Sequence, residues 1–186
     1  QFLHSISKFV RERLVPAENE VAENDAIPDD IVQEMKDMGL FGMTIPEEYG
    51  GLGLTMEEEV FVAMELGRTS SAAIVFDGTE KQKLTYLPKY ASGELIGSFC
   101  LTEPDVGSDA AAVKTTAVKK GEKYIINGTK RFITNAPRAG TFTVMARTDP
   151  FIKGAKGISA FIVDASTPGI TLGPKDKKMG QQGSHT

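Results

Sequence analysis

The chain has 186 residues, of which 40% are hydrophobic, a composition typical of a globular protein with one or two domains. Its formal net charge is −4 and its lysines and arginines are scattered, so the sequence favours neither a nucleic acid nor an anionic membrane as a partner. The single cysteine excludes an internal disulfide framework and a cysteine-based zinc site.

Residues 1–95 show the apolar periodicity of helices. Apolar side chains recur three and four positions apart from Phe2 to Leu14, and they predict a first amphipathic helix that Pro16 should end. Pro28 with two following aspartates predicts the start of a second helix, because acidic residues are favoured at the positive end of a helix. Gly39 is the predicted C-terminal cap of that helix.

A glycine-rich loop is predicted from Pro46 to Leu54, where the glycines should pack against neighbouring backbone. Thr55 and Thr79 are predicted N-caps of later helices, since a threonine hydroxyl can accept a hydrogen bond from a first-turn N–H group. The three glutamates Glu57–Glu59 are interpreted as a solvated helix start, because adjacent residues fan around a helix rather than converge.

From Ile96 onward the pattern changes to short runs rich in Val, Ile, Thr and Phe, separated by Gly, Asp and Asn turns. The predicted turns include Lys120–Glu122 and Asn127–Gly128. The fold class is therefore α+β, with an N-terminal α-helical domain over 1–95 and a small antiparallel β domain over 96–186. The predicted strands cover residues 96–102, 115–119, 124–127, 132–134, 141–147, 158–163 and 170–172.

One stretch, Phe99–Asp109, combines a buried strand with a structured loop that contains proline, glycine and two aspartates. The hydroxyls of Thr102 and Ser108 and the N–H groups around Gly107 are suited to an anionic or heteroaromatic ligand without a side-chain cation. The same composition also occurs in purely structural turns, so the residues alone leave both interpretations open.

The run Leu-Thr-Glu-Pro-x-x-Gly-Ser-Asp over 101–109 resembles the signature of the acyl-CoA dehydrogenase family, FAD enzymes that oxidise the Cα–Cβ bond of acyl thioesters. Three further stretches, Ile45–Gly53, Gly78–Pro88 and Asn127–Asn135, are similar to family segments and occur in the same order. The resemblance implies that 1–95 is the helical N-terminal domain and 96–186 the middle β-barrel domain, which binds the flavin. The family's C-terminal helical domain would follow Thr186.

Relative to the family, the chain is short by about one helix near residues 68–79. A true deletion would open the acyl pocket, whereas residues omitted from the sequence would leave the flanking segments matched as they are. The well-matched flanks favour the second interpretation.

The resemblance implies FAD as the cofactor and divides its contacts among three segments. Phe99–Thr102 would lie along the isoalloxazine, and Gly107 and Ser108 near the pyrophosphate, with Ser108 also reaching the pantetheine arm of the substrate. Phe132–Thr134 would form the second contact, where the family commonly has Trp-Ile-Thr, with the threonine hydroxyl near flavin N5. The implied FAD-binding residues are Phe99, Cys100, Leu101, Thr102, Gly107, Ser108, Phe132, Ile133 and Thr134.

No catalytic residue and no metal ligand is assigned within the chain. In the family a carboxylate of the C-terminal domain removes the α-proton of the thioester while a hydride passes from Cβ to flavin N5. Glu103 is interpreted as a structural residue because it lies inside the flavin loop, and His185 receives no role.

The resemblance also implies an acyl-CoA substrate, an electron-transfer flavoprotein as electron acceptor and a homotetramer. Three alternatives are a related acyl-CoA oxidase, a desulfinase on the same fold, and a non-catalytic protein that binds a CoA ester or a partner. The sequence shows neither a basic stretch followed by the apolar stretch typical of a signal peptide nor an apolar run long enough to cross a bilayer. We therefore expect a cytoplasmic protein of bacterial type, or one of the mitochondrial matrix.

Overall fold

The structure, a computed structural model, describes residues 2–66, 77–180 and 183–186. The chain forms two units, one of residues 1–96 with 177–184 and the other of residues 97–176 with 185–186. Helices occupy the first unit and strands the second, which confirms the predicted α+β order. In the described ranges no helix has the length and apolarity needed to cross a membrane. The shortage predicted near residues 68–79 falls largely on 67–76, outside the described residues.

The helices of the first unit begin and end largely where local capping signals predict. Gly39 follows the third helix in the left-handed conformation, with φ of 73°. Thr79 and Gln82 form a reciprocal capping box, and Thr55 and Glu58 make the same pair of bonds one helix earlier. The helices described there are α1 (Phe2–Phe9), α2 (Val15–Asn24), α3 (Asp29–Asp37), α4 (Met56–Leu66) and α5 (Glu80–Ala91).

The prediction that Pro16 ends the first helix is wrong. A π-helical turn over Val10–Leu14 joins α1 to α2, and the N–H of Val15 donates to the carbonyl of Val10. Pro16 then lies in the first turn of α2, directly after the π turn, so the proline is inside a continuous helical stretch. The chain therefore stays helical through the proline, because the wider π turn accommodates it.

A cluster of apolar side chains forms the core of the first unit, and close backbone contacts surround it. In the predicted glycine-rich loop, a Cβ added to Gly51 would lie 2.0 Å from the carbonyl oxygen of Ile45. This distance confirms that the loop needs glycine for packing. The buried members of the cluster are Ile6, Phe9, Ile31, Leu40, Met43 and Val62.

The second unit contains a five-stranded sheet in the order β1-β4-β2-β3, with β5 on β4 as well. Its strands are β1 (Gly97–Cys100), β2 (Thr116–Lys120), β3 (Lys123–Asn127), β4 (Thr141–Arg147) and β5 (Ile158–Asp164). The β2–β3 hairpin and the β4–β5 pair are antiparallel, but β1 and β2 each run parallel to β4. The expectation of a wholly antiparallel sheet is thus corrected to a mixed one, and the described strands do not close into a barrel. Long connections permit the parallel pairs, whereas a hairpin forces antiparallel pairing.

Two predicted strands are absent, those over residues 132–134 and 170–172. Phe132 and Asn135 have φ of 56° and 65°, and the left-handed region interrupts the extended repeat of a strand. Ile170 instead closes a turn, in which its N–H donates to the carbonyl of Thr167. The segment Phe132–Thr134 is therefore a turn whose backbone lies outside the sheet.

Candidate functional site

Two segments that the resemblance connects with flavin meet in the second unit. We call Phe99–Thr102 the first contact segment and Phe132–Thr134 the second contact segment. The N–H of Arg131, the residue directly before the second contact segment, donates to the carbonyl of Thr102 at 2.9 Å. The hydroxyl of Ser98, in β1, donates to the carbonyl of Thr134 at 2.8 Å. Hydrogen bonds therefore hold the two segments side by side.

The outward side of this pair of segments presents aromatic rings and hydroxyls. The side chains of Phe99 and Phe132 are 41% and 63% exposed, and the guanidinium of Arg131 lies 4.9 Å from the centre of the Phe132 ring. Thr102 is partly exposed and Thr134 exposed, and no described residue is hydrogen-bonded to either hydroxyl. Exposed rings beside unused hydroxyls are suited to a planar heteroaromatic ligand.

Two of the predicted contact residues point the other way. The alternation of β1 turns Cys100 inward, where it packs with Ile133 and Phe142 in one apolar cluster. Burial raises the pKa of the Cys100 thiol to about 11, so the thiol is neutral. The side chains of Cys100 and Ile133 therefore pack beneath the two segments and do not face a ligand on the exposed side.

The predicted Gly107–Ser108 contact follows a tight turn. Glu103 and Val106 exchange two backbone hydrogen bonds of 3.0 and 3.1 Å across it. Gly107 and Ser108 are exposed, and their N–H groups donate to no described residue. Consecutive unpaired N–H groups suit an anionic group such as a phosphate.

Glu103 is a buried, fully engaged carboxylate. Its side chain is 4% exposed and accepts bonds from the backbone of Lys114 at 2.7 Å, the backbone of Thr115 at 2.8 Å and the ammonium of Lys130 at 2.9 Å. Burial by itself raises the pKa of Glu103, but the bonds from Thr115, Lys114 and Lys130 outweigh it and lower the pKa to about 2. This environment supports a structural role, since such a group is a poor proton acceptor at neutral pH.

Sequence inspection missed three residues that assemble the site, namely Ser98, Lys130 and Arg131. Lys130 and Arg131 directly precede Phe132, but the sequence assigns roles only to Phe132, Ile133 and Thr134 in this stretch. The available signal was an acid, Glu103, in the first matched stretch and a lysine, Lys130, in the second. In the described part of the chain, no group of three or more His, Cys, Asp or Glu side chains is arranged to hold a metal.

Family models match nearly the whole chain. The acyl-CoA dehydrogenase N-terminal domain matches residues 1–94, and the acyl-CoA dehydrogenase middle domain matches residues 98–186. The chain therefore belongs to the acyl-CoA dehydrogenase family.

Known proteins with similar sequences or structures support the same family membership, at 33–40% identity. An acyl-CoA dehydrogenase of Bacillus subtilis is 40% identical over 97% of this chain and 51% of its own length. An acryloyl-CoA reductase (NADH) of Anaerotignum propionicum is also 40% identical, over 96% of this chain and 49% of its own length. Among solved structures, a glutaryl-CoA dehydrogenase of Mycobacterium smegmatis in complex with FADH2 has a TM-score of 0.88 at 33% identity, covering 99% of this chain and 50% of that one. The chain spans about half the length of these relatives.

Proposed function

We propose that this chain is the flavin-binding part of an FAD-dependent acyl-CoA dehydrogenase, which oxidises the Cα–Cβ bond of an acyl-CoA thioester. The observation that carries the proposal is the hydrogen-bonded pairing of the two contact segments, with Phe99 and Phe132 exposed beside the unused hydroxyls of Thr102 and Thr134. Family membership and the FADH2 complex of the glutaryl-CoA dehydrogenase relative support the choice of flavin.

The donor set of the site fits FAD. The Phe99 and Phe132 rings offer stacking surface, the Thr102 and Thr134 hydroxyls offer neutral donors for the ring edge, and the N–H groups of the Gly107–Ser108 loop suit the pyrophosphate. Bound FAD would supply the hydride acceptor that the dehydrogenation requires. The residues of this chain bind and orient the ring system, and hydroxyl or peptide donors at its edge favour the negative charge that accompanies reduction.

We place the catalytic base outside these residues. Glu103, the acid nearest to the contact segments in sequence, is bonded to Lys130 and to two peptide N–H groups, and its depressed pKa opposes proton uptake. We further propose a homotetramer that passes electrons to an electron-transfer flavoprotein.

The full-length protein provides the test. Purified protein should carry the visible spectrum of oxidised flavin, and anaerobic addition of butyryl-CoA, isovaleryl-CoA or octanoyl-CoA should bleach it. An electron-transfer flavoprotein should reoxidise the reduced protein faster than oxygen does, whereas rapid reaction with oxygen would indicate an oxidase. Colourless protein that gains no flavin spectrum with added FAD would exclude the proposal and favour a non-catalytic binding protein.

A second candidate is the reverse reaction, reduction of an enoyl-CoA. It is favoured by the acryloyl-CoA reductase relative, whose identity to this chain equals that of the dehydrogenase relative. Crotonyl-CoA with NADH, in the presence of an electron-transfer flavoprotein, would be consumed by a reductase. Unchanged NADH absorbance together with bleaching by butyryl-CoA would favour the dehydrogenase.

A further inference from the structure

Lys130, two residues before the second contact segment, binds the first contact segment and the neighbouring Glu103 through one side chain. Its ammonium, only 12% exposed, donates to the carbonyl of Leu101 at 3.0 Å and to the Glu103 carboxylate at 2.9 Å. The next residue, Arg131, donates its N–H to the carbonyl of Thr102 at 2.9 Å. Lys130 and Arg131, which directly precede the second contact segment, thus bind two successive carbonyls of the first contact segment.

The peptide group between Leu101 and Thr102 has a hydrogen-bonded carbonyl at one end and an N–H group with no described acceptor at the other. Its carbonyl oxygen accepts the Lys130 ammonium, while its N–H, which belongs to Thr102, donates to no described residue. A cation on the carbonyl polarises the whole amide and makes its N–H a stronger donor, since hydrogen bonds in a chain reinforce one another. The charge of Lys130 is therefore transmitted to a donor within the first contact segment.

Glu103 fixes the ammonium in place. Two peptide N–H groups and the Lys130 ammonium hold the carboxylate, so it has little freedom to move with the lysine. A buried ion pair with such support is costly to break from one side, because the remaining charge loses its partner. The lysine is held where its charge acts on the Leu101 carbonyl.

We propose that Lys130 is a positioning residue that, through the Leu101–Thr102 peptide, raises both the affinity for flavin and the midpoint potential of the bound flavin. The inference rests on the proposed function above. We assign the N–H of Thr102 to the flavin ring edge beside the Thr102 hydroxyl, because it lies in the first contact segment and donates to no described residue. A stronger donor there stabilises the reduced, more negative form of the flavin.

The first experiment replaces Lys130 in the full-length protein. Lys130→Met should raise the Kd for FAD about tenfold, which corresponds to ~1.4 kcal/mol. It should also make the midpoint potential of bound flavin more negative and shift its visible absorption bands. Lys130→Arg, which keeps the charge, should restore most of each property. FAD affinity is measured by flavin fluorescence on titration of apoprotein, and the potential by reductive titration with reference dyes.

Arg147→Met is the matched control. Arg147 is another partly buried cation of the second unit, and its guanidinium donates to backbone carbonyls at Val113, Ile152, Gly154 and Ala111, none of them in a contact segment. Loss of the Arg147 guanidinium should lower thermal stability but leave the midpoint potential and visible spectrum of the bound flavin unchanged. If Lys130→Met behaves like this control, the role of Lys130 is merely structural and the inference is wrong.

Glu103→Gln gives a second test with the opposite sign, which is useful if Lys130→Met fails to fold. The side-chain carbonyl oxygen of glutamine can still accept the Lys130 ammonium and keep it on the Leu101 carbonyl, but the neutralising negative charge is gone. The flavin potential should therefore become more positive than in wild type. An unchanged or more negative potential would overturn the proposal. Wild-type protein that binds no FAD at all would refute the proposed function instead, so the two failures are distinguishable.

Discussion

Thr134 is an exposed residue that ends the second contact segment, two positions after the exposed ring of Phe132. We expect Thr134→Val to slow flavin reduction by substrate about tenfold or more, because a preorganised donor to developing charge is lost. Folding should change little, since no residue that the structure describes is bonded to that hydroxyl. Stopped-flow absorbance of the full-length protein measures the reduction rate.

Thr116→Val is the control for this substitution. Thr116 is an exposed threonine of β2 in the same unit, and its hydroxyl makes a single bond of 3.4 Å to the carbonyl of Asn127. The rate of flavin reduction in Thr116→Val should equal that of wild type. Equal rates for Thr134→Val and Thr116→Val would remove the role assigned to Thr134.

The lowered pKa of Glu103 predicts how the free energy of unfolding depends on pH. Its pKa is about 2 in the folded protein, against 4.5 for the ordinary group, so on acidification the unfolded chain takes up the proton first. The stabilisation is therefore complete above about pH 4.5 and is lost as the pH falls towards 2. The loss should amount to about 3 kcal/mol, at about 1.4 kcal/mol per pKa unit.

Glu103→Gln should flatten this pH dependence, because the amide does not titrate. It should also destabilise the protein at neutral pH by a few kcal/mol, since the Lys130 charge is left buried with no carboxylate, and such losses are roughly 3–5 kcal/mol. Denaturant unfolding at several pH values measures both effects. A variant that keeps the acid dependence of wild type would show that other groups cause it.

The sequence identifies the site residues that carry exposed chemistry, but not those that hold them together. Thr102 and Ser108 stand out because their hydroxyls flank a strand end and a loop of proline, glycine and aspartates, whereas Thr134 is identified only through the resemblance to the family. Lys130 does not stand out, since a lysine near a turn usually lies in solvent and its burial depends on Glu103, 27 positions away. Local patterns contain no information about such a distant partner.

At the scale of elements, Gly128 shows a requirement for close packing. It follows β3, and a Cβ at this position would lie 2.2 Å from the Thr115 hydroxyl oxygen and 2.7 Å from the Thr115 Cα. Gly128→Ala should therefore destabilise the protein by about 2 kcal/mol, because backbone as well as side chain must move. Gly173→Ala, where nothing lies within 4 Å, should change stability by less than about 0.5 kcal/mol. Similar unfolding midpoints for the two variants would contradict the packing explanation.

Local signals explain which elements could be predicted. The cap at Gly39, the capping box at Thr79 and the β2–β3 hairpin all depend on a few adjacent residues. The parallel pairing of β1 with β4 joins Gly97 to Thr141 across a long connection, and no local pattern specifies it. The π turn before Pro16 was missed because a proline inside an apolar repeat usually marks a helix end.

At the scale of the whole molecule, bound FAD should stabilise the fold. Its proposed contacts come from segments separated by some thirty positions, so binding should oppose the separation of these segments on unfolding. Free FAD at 100 times its Kd should raise the free energy of unfolding by ~2.7 kcal/mol, provided that the unfolded chain does not bind it. Thermal melting of apoprotein with increasing FAD measures the effect. A melting temperature that does not change with FAD would argue against binding to the folded state.

Cys100 gives this protein an internal reporter. Because the thiol is packed against Ile133 and Phe142 and its pKa is high, a thiol reagent in neutral solution can modify it only after the apolar cluster opens. Its rate of labelling, followed by mass spectrometry of the peptide that contains it, therefore measures how often this part of the second unit opens. Each variant discussed above can be compared on that scale without an added fluorophore, and so can the apoprotein with and without FAD.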